Sequence, residues 1–216
     1  MHDTIDRKFT SLYFLIAGLI ALLALVDIGT IYAFLKPIPI WMLLGVAARA
    51  PLAKTKRGRA LVLGLALSSI GDITLGLPIE LALLLGIAAF FFAQAAYAAS
   101  FFALFEYRPK RLPIALLVGA WAALMVYILG DHLGDMALPV YLYLGVVATM
   151  MLAALFRSPV ALTVFYGAAV FGASDSLIAL NRFVEPIPLS GFWIMSTYYI
   201  AQYLIVRGSL EDHAGE

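Results

Sequence analysis

Long apolar runs separated by short polar or proline-bearing breaks dominate this chain. They lie near 10–27, 31–50, 60–77, 80–105, 113–130, 137–156, 159–180 and 189–207. Each is close to the ~20 residues that cross a hydrocarbon core as a helix. Helix is the expected form, because an open sheet edge cannot be satisfied in lipid and the dyad alternation of a barrel strand is missing. The breaks are Pro51 with Lys54 to Arg59, Pro78, Arg108-Pro109-Lys110-Arg111, Asp131 to Asp135, Arg157-Ser158-Pro159, and Asn181 to Pro188. Proline and clustered charge are what end a membrane helix. The first run is too long for a signal peptide and no small-residue cleavage site follows, so it reads as a retained first helix. The pattern predicts an all-α polytopic membrane protein, a bundle of about eight transmembrane helices forming a single integral membrane domain over residues 1–216.

Composition agrees and narrows the function classes. With 64% hydrophobic residues, 12% charged residues and a mean hydropathy of +0.99, the chain is unlike a soluble domain, which is about half apolar and a quarter charged. Eight spans use roughly 160 residues, which leaves room for short loops and no extramembrane domain. A net charge of +1 says nothing by itself about a polyanionic partner; no nucleic-acid partner is expected of a chain that lives in a bilayer. Placement of charge matters more. With both termini inside, 12 of the 14 basic residues fall on one face and only Lys36 and Arg182 on the other. That bias predicts cytoplasmic termini in a multi-pass protein, in the cell membrane if the host is bacterial. Cysteine is absent, and His2, His132 and His213 fall in tails or a loop. Neither a thiolate nor an intramembrane histidine metal site is expected, and no cofactor is implied.

The ionisable residues within the spans are Asp27, Lys36, Asp72 and Asp175. A charge at bilayer depth is costly unless paired, hydrated or neutralised. Asp27 ends the first span and reads as an ordinary boundary residue. Asp72 stands six residues before Pro78, and Asp175 six before Asn181. At 1.5 Å per residue, both carboxyls lie roughly 9 Å below the same outer boundary. Ser68 is one turn from Asp72, and Ser174 and Ser176 flank Asp175. Gln94 with Tyr97, and Tyr198 with Gln202, add polar faces on the fourth and eighth spans. Such Ser, Gln and Tyr side chains also serve as interhelical hydrogen-bonding groups. Lys36 opens Lys36-Pro37-Ile38-Pro39, where two prolines kink or start the second span; it either snorkels to the headgroups or meets a phosphate or carboxylate. Ala93-Gln94 follows Asp72 on the next span as Ala201-Gln202 follows Asp175. This faint duplication suggests two four-helix parallel repeats.

Taken together, Lys36-Pro37-Ile38-Pro39, the Ser-x-x-Gly-Asp motif ending at Asp72, Phe92-Ala93-Gln94-Ala95-Ala96-Tyr97, Gly172-Ala173-Ser174-Asp175-Ser176 running through Leu180 to Arg182-Phe183, and Tyr198-x-x-Ala201-Gln202-x-Leu204-Ile205 resemble the YhhN-like lysoplasmalogenase family. The resemblance covers nearly the whole chain, in order. It implies an eight-helix membrane hydrolase that takes its lipid substrate from the bilayer and cleaves the vinyl ether bond of lysoplasmalogens to a fatty aldehyde and a glycerophospho-alcohol. By motif match the two important aspartates are Asp72 and Asp175. The position of Gln94 is often histidine in the family, so no proton relay is carried over there.

The chemistry suits a carboxyl pair. Protonating the β-carbon of a vinyl ether makes an oxocarbenium ion, to which water adds. Two neighbouring acids that do not both ionise can supply the proton and the negative charge from one pocket. The expectation is therefore catalysis by Asp72 and Asp175, with substrate contacts from Lys36, Ser68, Gln94, Tyr97, Ser174, Tyr198 and Gln202, and no metal. A small-molecule or proton-coupled transporter would use the same buried aspartates. The two differ in layout: a hydrolase needs one pocket open to lipid or to one side, a carrier polar residues along a path through both halves.

Overall fold

The computed structural model describes residues 5–158 and 162–214; His2 and Pro159 lie outside the described residues. Among the latter the chain is all-α. Helix α1 (Arg7–Leu23) starts where Asp6 Oδ1 accepts the Phe9 N–H at 2.6 Å. The second rod is split as its prolines predict, into α2 (Ile31–Leu35) and α3 (Ile38–Arg49) around Lys36-Pro37. Then come α4 (Lys56–Leu75), α5 (Ala82–Phe102), α6 (Leu112–Leu129), α7 (Ala137–Leu155) and α8 (Thr163–Ala179). A π-helical turn, Leu180–Val184, extends α8, and α9 (Ser190–Ala214) closes the chain. The described helices thus form eight rods matching the eight apolar runs. Six are long and apolar enough to cross a membrane; α1 and α9 are outside that set.

Helix α9 runs beyond the expected end near residue 207 because its last polar residues are satisfied by neighbours. Asp212 pairs with Arg157 at 2.9 Å, and His213 Nδ1 lies 3.0 Å from Arg57 Nη2. Asp27 is a boundary residue as expected: it lies past α1, where its Oδ1 accepts the Gly29 N–H at 3.0 Å.

Two helix pairs are packed most closely, α4 with α5 and α8 with α9. Their glycines fall in corresponding places. A Cβ on Gly64, eight residues before Asp72, would lie 2.4 Å from the Tyr97 ring; one on Gly167, eight before Asp175, would lie 2.8 Å from the Ile205 backbone nitrogen. Tyr97 and Ile205 each stand three residues after the repeated glutamine. The cross-contacts repeat too, α5 on α7 and α9 on α3. The duplication suggested by two short motifs therefore extends to packing register. Because the obstacle at Gly167 is backbone, Gly167→Ala should cost about 1–3 kcal/mol by overpacking. Gly119→Ala, which meets nothing within 4 Å, should stay within about 0.5 kcal/mol of the parent. Thermal unfolding in detergent checks this; equal midpoints for the two variants would refute the close α8–α9 contact.

The predicted cytoplasmic end is tied together. The α5–α6 and α7–α8 connections exchange backbone hydrogen bonds, Glu106 N to Phe156 O at 2.6 Å and Ser158 N to Leu104 O at 2.8 Å. Arg111 donates to the carbonyls of Leu155 and Arg157, and the Arg157 guanidinium lies 5.5 Å from the centre of the Phe101 ring. In the same loop, the Arg108 guanidinium at 2.6 Å holds the exposed Glu106 carboxyl below its usual range.

Candidate active site

At the opposite end the rods part around a polar cavity. Asp72, one turn from the end of α4, is only 4% exposed, and its Oδ2 accepts the Tyr198 hydroxyl of α9 at 2.8 Å. Asp175, partly buried on α8, is held the same way: the Tyr143 hydroxyl of α7 donates to its Oδ2 at 2.9 Å. Each carboxyl is thus oriented by a phenol from a different helix, which fixes its direction without neutralising it. Lys36 reaches the cavity from the break in the second rod. Its Nζ would lie 3.4 Å from a Cβ on Gly76, four residues beyond Asp72. The Tyr199 hydroxyl donates to the Lys36 carbonyl at 2.8 Å, so the proline-bearing break is stabilised by a side chain.

The cavity has a volume of about 440 Å³. Asp72 and Asp175 both line it, as do Lys36, Ser174 and Tyr198 from the sequence-expected set. Ser174 is nearly fully buried and its Oγ donates to the Ile194 carbonyl at 3.0 Å, joining α8 to α9. Ser68, Gln94, Tyr97 and Gln202 do not line this cavity; all four are fully buried one layer behind it. There the Tyr97 hydroxyl donates to Gln202 Oε1 at 2.8 Å and lies 3.4 Å from Ser68 Oγ. Alanines and glycines around these positions give no hint of which layer a polar side chain occupies, which explains why sequence spacing grouped them with the cavity wall.

Other residues around the site carry weaker signals. Tyr143 sits in an ordinary apolar stretch with Tyr141 two residues earlier, and nothing in that spacing marks it as the partner of Asp175. The exposed Glu80 and Arg182 and the half-buried Asn181 stand at the mouth. Asn181 also shapes its loop, its Oδ1 accepting the Ile187 N–H at 2.9 Å.

Residues 31–209 match the model of the YhhN family. The chain belongs to the YhhN family. Its matched region starts at the first residue of α2 and takes in every cavity residue named above. The chain is 36% identical over 140 residues to the lysoplasmalogenase TMEM86B of Sus scrofa, covering 64% of this chain and 58% of the relative. It is 32% identical over 178 residues to the lysoplasmalogenase of Mycobacterium bovis, covering 77% and 66% respectively. The chain spans between 19% and 66% of the length of the curated relatives it matches. No solved structure matches it.

Proposed function

We propose that this YhhN-family chain is an intramembrane hydrolase that cleaves the vinyl ether bond of a lysoplasmalogen-type lipid, giving a fatty aldehyde and a glycerophospho-alcohol. The observation that carries the reading is the convergence of Asp72 and Asp175 on one cavity, each aimed by a tyrosine hydroxyl, beside the Lys36 ammonium. The relatives' name, lysoplasmalogenase, supports the substrate class.

In this mechanism Asp175, whose partner is a neutral phenol, delivers its proton to the β-carbon of the vinyl ether. The resulting oxocarbenium ion is stabilised by the two carboxylates. Water adds to the carbon bearing oxygen and gives its proton to Asp72, the carboxylate that shares the cavity with Lys36. Asp175 then takes the hemiacetal hydroxyl proton while Asp72 protonates the departing glycerol oxygen. Both carboxyls return to their starting states. Lys36 holds the lipid phosphate, Ser174 and Tyr198 form the wall, and Ser68, Gln94, Tyr97 and Gln202 position Tyr198 and the helices behind it. The orientation with cytoplasmic termini puts this cavity in the outer half of the membrane. Inner ends tied by Arg157–Asp212 and Arg111 favour a pocket open on one side over a carrier's through-path.

The test uses purified protein with a lyso-vinyl-ether lipid and its saturated alkyl ether analogue. Aldehyde is expected from the first only, since the analogue has no carbon to protonate. In deuterated water the aldehyde should carry one deuterium on the carbon next to its carbonyl. No aldehyde from the vinyl ether, or aldehyde without that deuterium, would overturn the mechanism.

A further inference from the structure

The polar cavity does not end at the carboxylates. Leu75, Leu83, Phe90, Asp175 and Ile178 line it and also line a narrower apolar passage of about 60 Å³, whose far side is formed by Ile87, Val140 and Phe183. Ile87 is shared in turn with an apolar groove of about 300 Å³ between α5 and α7, bordered by Phe92, Leu138 and Leu142. Those three side chains are 59%, 69% and 56% exposed. In a membrane helix bundle that surface faces lipid. The three spaces therefore lie one after another, neighbours through shared lining side chains, with Ile87 standing between the passage and the groove. The order along them is a mouth carrying Glu80 and Arg182, then Asp72 and Asp175 with the Tyr143 hydroxyl, then apolar side chains out to the groove.

We propose that the passage and groove are the binding site for the substrate's aliphatic chain, which threads from Asp175 past Ile87 and out between α5 and α7. The proposal rests on the hydrolase reading for the identity of its occupant, a single-chain ether lipid, and adds where that chain lies and how the aldehyde departs. The polarity gradient matches the molecule: a charged head, one scissile bond at the boundary, and an alkyl tail. At about 10–15 Å³ per water-sized group, the passage admits roughly four to six such groups, room for a stretch of one alkyl chain. A chain leaving lipid for an apolar passage gains little free energy, because lipid tails are as apolar as the side chains that replace them. The passage therefore acts on register, holding the carbon to be protonated beside Asp175, and its effect belongs in turnover more than in affinity.

Two measurements test this. Ile87→Trp places an indole where the passage meets the groove. It should lower the ratio of long-chain to short-chain turnover about tenfold or more, the short substrate being one whose alkenyl group ends before Ile87. An unchanged ratio in folded Ile87→Trp overturns the proposal. Independently, a non-hydrolysable alkyl ether lysolipid with a photoreactive group at its chain end should label the wild-type protein on residues 84–92 and 138–142. Labelling confined to other surfaces overturns it as well. Because the photoprobe is not cleaved, labelling of these residues without aldehyde release from the vinyl ether would keep the chain site and reject the hydrolase reading.

Discussion

Asp175→Asn is expected to lower aldehyde release from a lyso-vinyl-ether lipid by about 10²–10⁴-fold, the usual contribution of a positioned general acid. Asparagine keeps the shape and still accepts the Tyr143 hydroxyl that meets Asp175 Oδ2 at 2.9 Å, so the loss reports the missing proton and not a collapsed wall. Asp72→Asn should lose a comparable factor while keeping the Tyr198 contact. The two variants separate in their pH dependence. The base must be ionised, so wild-type activity rises with pH through an acidic limb; the acid must be protonated, so activity falls through an alkaline limb. Residual activity should lose the acidic limb in Asp72→Asn and the alkaline limb in Asp175→Asn. Because the pair shares a cavity, the wild-type limbs belong to the pair jointly. Turnover within threefold of wild type in either variant would remove that aspartate from the mechanism, and identical limbs in both would remove the division of roles.

How much of this site was legible in the chain follows from the solvent. In 64% apolar sequence each intramembrane carboxylate is conspicuous, and Asp72, Asp175 and Lys36 were found by their cost alone. Ser174 stands out as the neighbour of Asp175 and Tyr198 through its i+4 spacing to Gln202, and the prolines after Lys36 correctly place the break between α2 and α3. Tyr143 stayed hidden because a tyrosine in a membrane helix is cheap with or without a partner. Ser68, Gln94, Tyr97 and Gln202 were recognised as polar but not as a layer behind the wall; that distinction depends on helix rotation, to which a short Ala- and Gly-rich stretch is nearly indifferent. The overrun of α9 to Ala214 was hidden for a related reason. Charges near a span end look like a stop signal until the partner that buries them is known, and Arg157 is 55 residues away from Asp212.

That partner makes Asp212→Ala the variant with the largest expected loss of stability, about 3–5 kcal/mol. Arg157 and Asp212 meet at 2.9 Å with side chains only 3% and 5% exposed, so removing the carboxylate takes its negative charge from beside a guanidinium that stays desolvated. The pair one turn away shows what burial changes. Arg207 and Glu211 are closer, at 2.6 Å, but about half exposed, and Glu211→Ala should cost less than about 1 kcal/mol. Distance alone would rank the two pairs the other way. If the cost of Asp212→Ala arises from the lost charge, Arg157→Met combined with Asp212→Leu should recover most of it, since a buried ion pair contributes little more than well-packed apolar groups of like volume. Thermal unfolding of these three variants beside the wild type in one detergent decides the matter: a double variant as unstable as Asp212→Ala would mean that the loop geometry around Phe105 and Phe156, and not the charge pair, holds this end. The same double variant bears on function. It restores an apolar seal without the ions, so aldehyde release should survive in it, as a cavity closed at this end requires.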